Sequence, residues 1–159
     1  AQTLGYEDLS FQVGDIAQYS RDARADMVVT LHACDTATDY ALIQAVHWQA
    51  QVILSVPCCQ HELFSQLDNP DQHAILKHGL MKDRFAAILT DSLRALALEH
   101  CGYEVSMIEF TSLEHTAKNI LLRCIRKKIG ADAAEKAVEF AELCTYWNVH
   151  PTIASLVKK

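Results

Sequence analysis

Two runs of β-forming apolar residues, Met27-Val28-Val29-Thr30-Leu31 and Val52-Ile53-Leu54-Ser55-Val56, constrain this chain more than any other feature. Continuous apolarity, rather than alternation, predicts strands covered on both faces, as in the middle of a parallel sheet. Between the runs, Thr36 to Gln49 carries Ala37, Tyr40, Ala41, Ile43, Ala45, Val46 and Trp48 at the spacing of a helix packed on a sheet. Asp35 or Thr36 is suited to cap its start. Strand, helix and strand within about 30 residues make a βαβ crossover, right-handed in nearly all cases. The fold class predicted from this unit is α/β.

Punctuation residues divide the rest of the chain. Leu9 to Val13 alternates apolar and polar residues and is broken by Gly14-Asp15, which predicts a short strand and a turn. Ala1 to Gly5 suits the end of a helix stopped by glycine, and Ile16 to Arg24 a short helix or loop. After Pro57 the chain turns polar, with Asn69-Pro70-Asp71 as a turn signal. A long helix is predicted from about Leu80 to His100, on the stripe of Phe85, Ile88, Leu89, Leu93, Leu96 and Ala97, stopped by Gly102. Tyr103 to Thr111 and Asn119 to Ile125 are predicted strands. The loop Ser112 to Lys118 is too short for a crossover, so they are expected to be antiparallel neighbours. Ala131 to Trp147 is a predicted helix, broken by Asn148 to Pro151.

Composition removes several function classes. A length of 159 residues fits one domain, residues 1–159. With 50% apolar and 21% charged residues the chain is not of disordered or low-complexity type. No apolar run approaches the roughly 18 residues of a membrane span, so no membrane association is expected. A net charge of −6 disfavours a global grip on nucleic acid, and the one dense basic run, Arg123, Arg126, Lys127 and Lys128, fits the solvated end of a strand. Cys34, Cys101, Cys124 and Cys144 sit in apolar or helical runs and fit small buried hydrophobes in a reducing, cytoplasmic setting.

The order of elements resembles the second half of the class I S-adenosylmethionine-dependent methyltransferase fold, a Rossmann-like sheet of order 3-2-1-4-5-7-6 in which strand 7 is antiparallel. On that resemblance Leu9–Val13 is strand 3, Met27–Leu31 strand 4, Val52–Val56 strand 5, Tyr103–Thr111 strand 6 and Asn119–Ile125 strand 7. Val29-Thr30-Leu31-His32-Ala33-Cys34-Asp35-Thr36-Ala37-Thr38-Asp39 is similar to the strand-4 motif of the family that includes the methyltransferase-like domain of the glutathione-S-transferase C-terminal-domain-containing protein. Val56-Pro57-Cys58-Cys59-Gln60-His61-Glu62 resembles that family's strand-5 motif, and Thr116-Ala117-Lys118-Asn119 its approach to strand 7. The implied fold is a mostly parallel sheet with an antiparallel terminal hairpin, lacking strands 1 and 2. No Gly-x-Gly occurs in the chain, and the resemblance would place the glycine-rich cofactor segment on strand 1. The expectation is therefore a C-terminal half, inactive alone, of a methyltransferase that uses S-adenosylmethionine on an unknown acceptor. A natural degenerate paralogue is the other explanation.

Ligands of open α/β sheets sit beyond the carboxyl ends of the strands, which singles out three clusters. Asp15 and Ile16 follow the first predicted strand; the resemblance implies that they hold the adenine, against the plain reading of a Gly-Asp turn. His32 and Ala33 are implied to face the donor, and Asp35 or His32 to act as base or orienting group. A helix cap for Asp35 and a core histidine for His32 are the structural alternatives. Pro57 to His61, the third cluster, suits a substrate loop with Cys58 and His61 as its candidate residues, or a methyl relay through Cys58 or Cys59 if the thiol pKa is lowered. A zinc site of His32, Cys34, Cys58, Cys59 and His61 competes with this; adjacent cysteines and the lack of a Cys-x-x-Cys knuckle weigh against it, and no metal is assigned. Trp48, Phe85 and Trp147 are expected in packing, and Asp91 with Arg94 in a surface ion pair. An interaction module that dimerises through an exposed sheet edge, or a zinc-binding α/β domain, are the alternatives to an enzyme.

Overall fold

The structure is a computed structural model, and it describes all residues but 1, 2, 4, 20–23, 113, 115, 117, 158 and 159. β1 (Met27–Leu31), α1 (Thr36–His47) and β2 (Val52–Val56) form the expected βαβ unit, with β1 and β2 parallel from Met27↔Val52 to Leu31↔Val56. Next come α2 (His61–Gln66), a 3-10 turn at Pro70–Gln72, α3 (His73–Leu76) and the long α4 (Gly79–His100). β3 (Tyr103–Glu109) and β4 (Ile120–Arg126) are antiparallel over their full length. α5 (Ala133–Trp147) and a 3-10 turn at Thr152–Leu156 close the chain.

The sheet has four strands in the order β1-β2-β4-β3. β4 is antiparallel to both its neighbours, so β1, β2 and β3 point the same way. A mixed four-stranded sheet of this order is compatible with a Rossmann-like fold.

One face of the sheet makes the core. Thr30, Ile53, Ser55, Leu122, Cys124 and Tyr103 are buried on it, and one apolar cluster joins Ile53 and Leu122 to Leu42 and Ala45 of α1 and to Leu93 and Ala97 of α4. Each such leucine, buried completely, contributes about 1.5–3 kcal/mol. The hydroxyls of Thr30 and Ser55 satisfy each other at 2.8 Å, which makes two polar residues tolerable inside apolar strands. Phe85 and Trp147 join α4 to α5, ring centroids 4.5 Å apart.

The other face corrects the expectation of double coverage. Met27, Val29 and Leu31 are 54%, 54% and 63% exposed, and Val52, Leu54 and Val56 beside them are only half buried. Among the described residues β1 pairs with β2 alone, so its outer edge is open. The sequence carries the apolar signature of a doubly covered strand, whereas the helices that build the core lie against one side.

Leu9–Val13 is a second correction. It forms no strand, and Leu9, Phe11 and Val13 are exposed. Among the described residues no strand lies beside it, and a short strand without a partner to complete its hydrogen bonds is not stable. The expected helix end at Ala1 to Gly5 falls largely on residues outside the described set.

Gly102 ends α4 as expected. Its φ of +86° suits glycine, its N–H reaches Glu99 O at 2.9 Å, and a Cβ there would meet the Ile129 side chain at 3.0 Å. No helix among the described residues is long and apolar enough to cross a membrane.

Candidate functional site at the carboxyl ends of β1 and β2

Parallel pairing in register, with Leu31 opposite Val56, brings the turn after β1 beside the turn after β2. The first turn is sharply bent: His32 and Asp35 have φ of 57° and 55°. Non-glycine residues adopt such conformations only when their surroundings enforce them. Here the Thr38 hydroxyl donates to Ala33 O, and Arg94 Nη2 donates to Asp35 O at 3.0 Å. Asp35 occupies the cap position of α1 but makes no capping bond to it. Its Oδ1 instead accepts the backbone N–H of Glu62 at 2.9 Å, inside the first turn of α2. The carboxylate thus pins one rim turn to the other. Glu62 in turn accepts from the Thr152 hydroxyl at 2.6 Å, tying the rim to the end of the chain.

Three cysteines meet between the turns. Cys34 Sγ lies 3.1 Å from Cys58 Sγ, and Cys59 Sγ lies 3.7 Å from Cys58 Sγ. All three sulfurs are within 4.8 Å of one another. Cys34 is exposed, not buried as its apolar setting suggested. His32 and His61 are exposed and do not join the thiol group, which reduces the five-residue zinc set to three. The thiol contact with Cys34, and then burial, push the Cys58 thiol up to about 12. A methyl relay through Cys58 needs the opposite shift.

Behind the turns runs a buried charge network that sequence reasoning misplaced. Arg94 is fully buried and bonds Asp39 through Nε and Nη2 at 2.9 and 2.8 Å and Asp91 through Nη1 at 2.9 Å. Gln60 Nε2 donates to Asp91 at 3.2 Å, and Lys118 Nζ donates to Gln60 Oε1 at 3.0 Å. The chain Asp39–Arg94–Asp91–Gln60–Lys118 therefore joins both rim motifs to the start of β4. Burial raises the Asp91 carboxyl, and the Arg94 charge opposes this. Asp91 and Arg94 are not a surface pair: the helix face that carries them is the one facing α1. Asp39, in the strand-4 motif, was the available signal.

The adenine residues are not brought to this rim. α1 leaves the carboxyl end of β1 and returns to its amino end, where Trp48 O accepts the Ala25 N–H at 3.1 Å. Gly14, Ile16 and Tyr19 lie there, around a hollow of about 430 Å³ that includes Trp48. Tyr19 and Trp48 stack edge to face at 5.6 Å. Asp15 Oδ1 is taken up by the N–H of Ala17 at 2.9 Å, an ordinary Asx turn. The length of β1, roughly 13 Å at about 3.3 Å per residue, separates this turn from His32 and Ala33.

Residues 1–66 match the family model described as a methyltransferase domain. The match takes in β1, α1, β2 and both rim motifs, and supports methyltransferase function in general. No curated protein and no solved structure matches the chain.

A methyltransferase domain as a rule uses S-adenosylmethionine. The described residues do not fit that group as a complete site. The expected adenine turn and the expected donor-facing turn lie at opposite ends of β1, and no glycine pair allows close backbone approach between them.

Proposed function

We propose that this chain is the C-terminal half of a class I S-adenosylmethionine-dependent methyltransferase, similar to the methyltransferase-like domain of the glutathione-S-transferase C-terminal-domain-containing protein. The observation that carries this reading is the sheet order β1-β2-β4-β3 with β4 reversed. The methyltransferase match over residues 1–66 supports it independently. The bare apolar face of Met27, Val29 and Leu31 and the open edge of β1 support the half-domain reading, since a doubly wound sheet has strands and helices at both places.

In this reading the acceptor lies over the turns after β1 and β2. His32, exposed on the turn after β1, takes a proton from the acceptor, and Asp35 holds the two turns in register through the Glu62 N–H. The chain's contribution is orientation of the acceptor, the term that dominates a direct displacement. Isothermal titration of the full-length parent with S-adenosylhomocysteine tests the reading. One saturable site is expected; absence of binding by folded parent protein contradicts it.

The same bare face favours a second reading, a non-catalytic module that dimerises through β1. Sedimentation of the chain separates the two: a stable dimer supports the module, a monomer counts against it.

A further inference from the structure

The three rim thiols form a site of their own. They come from two different turns, Cys34 after β1 and Cys58-Cys59 after β2, and converge only because the strands are parallel and in register. Four ligands at about 2.3 Å around a tetrahedral zinc place neighbouring sulfurs about 3.8 Å apart. The 3.7 Å contact matches that spacing, the 3.1 Å contact is shorter by a few tenths of an ångström, and all three sulfurs lie within 4.8 Å of one another. Adjacent cysteines seldom share one ion, but here the sulfurs of both Cys58 and Cys59 lie within 4.8 Å of Cys34 Sγ. The backbone of the turns that carry them is held by side chains. Asp35 joins the two cysteine turns through Glu62 N, Arg94 holds Asp35 O, and the Thr38 hydroxyl holds Ala33 O.

We propose that Cys34, Cys58 and Cys59 bind one thiophilic divalent cation, zinc above all, with a fourth coordination position open at the rim. Thiolate sulfur selects soft cations over magnesium or calcium. Three protein ligands with one free position is the arrangement of catalytic rather than structural zinc. On binding, three S–H bonds break, three S–Zn bonds form and three protons pass to solvent. The centre then carries one net negative charge, and water fills the fourth position. The exposure of Cys34 places that position towards solvent. This inference rests on the sulfur geometry alone and does not depend on the methyltransferase reading.

The test uses the whole chain, reduced with a phosphine, stripped with chelator and kept free of oxygen. Cobalt(II) is titrated first, then displaced by zinc against a competing chromophoric chelator. One equivalent of cobalt is expected, with thiolate-to-metal charge-transfer absorption and the visible bands of a tetrahedral ion. Cys34→Ser and Cys58→Ser are each expected to weaken zinc by more than the about 10–100-fold lost with an outer-shell partner. Cys34 is exposed, so its variant keeps the fold, checked by circular dichroism. Cys144→Ser, far along the chain on α5, is expected to retain one equivalent. Folded, reduced protein that gives no thiolate–cobalt band overturns the proposal, as does unchanged zinc affinity in Cys34→Ser.

Discussion

Arg94 grips Asp39 with two parallel bonds, 2.9 Å from Nε and 2.8 Å from Nη2, across the contact between α4 and α1. The side chains are 0% and 2% exposed. Removing one partner of such a pair strands a charge out of water, at a cost of about 3–5 kcal/mol. Arg94→Leu is therefore expected to lower unfolding free energy by that amount in urea titration. A change within experimental error would show that water reaches Asp39.

Asp35 separates a pinning role from a chemical one. Asn at this position keeps an oxygen for the Glu62 N–H and tolerates the φ of 55°. Ala keeps neither, and leaves the part-buried Glu62 N–H without its acceptor, at a cost of up to about 1–3 kcal/mol. Asp35→Asn is expected to match the parent chain in thermal unfolding, with Asp35→Ala clearly lower. Equal losses in both would mean that the charge, not the hydrogen bond, holds the rim.

Tyr103 gives the fold an alkaline limit. Its ring is buried, its hydroxyl donates to Ala50 O at 2.9 Å, and burial pushes its pKa from 10.0 to about 12. The folded state thus holds this proton more tightly than the unfolded state. Its contribution is complete below pH 10 and is lost as pH rises towards about 12. Urea titrations across that window are expected to show wild-type stability falling more steeply than that of Tyr103→Phe. Parallel curves would place the hydroxyl in solvent.

The βαβ unit and the β3–β4 hairpin were legible because each is a local pattern: apolar runs, a helical stripe, a loop too short to cross over. The end of α4 is legible in the sequence because Gly102 supplies both a stop and a required positive φ. The rim cysteines were legible as positions after strands, but their convergence depends on the register of β1 against β2. Spacing within one helix shows Asp91 and hides Asp39, fifty-five positions from Arg94 in sequence, so the pattern alone puts Arg94 at the surface. Leu9–Val13 carried a valid strand pattern, but a pattern cannot supply hydrogen-bond partners. The exposed side of Met27, Val29 and Leu31 could not be read at all, because the same residues would suit a covered strand.

Equilibrium dialysis of labelled S-adenosylhomocysteine against these 159 residues, with the full-length parent beside them, tests the half-domain reading most directly. The expected result is saturable binding by the parent and none by the chain alone, because the turns at Asp15 and at His32 stand at opposite ends of β1. Tight, saturable binding by the chain alone would contradict it.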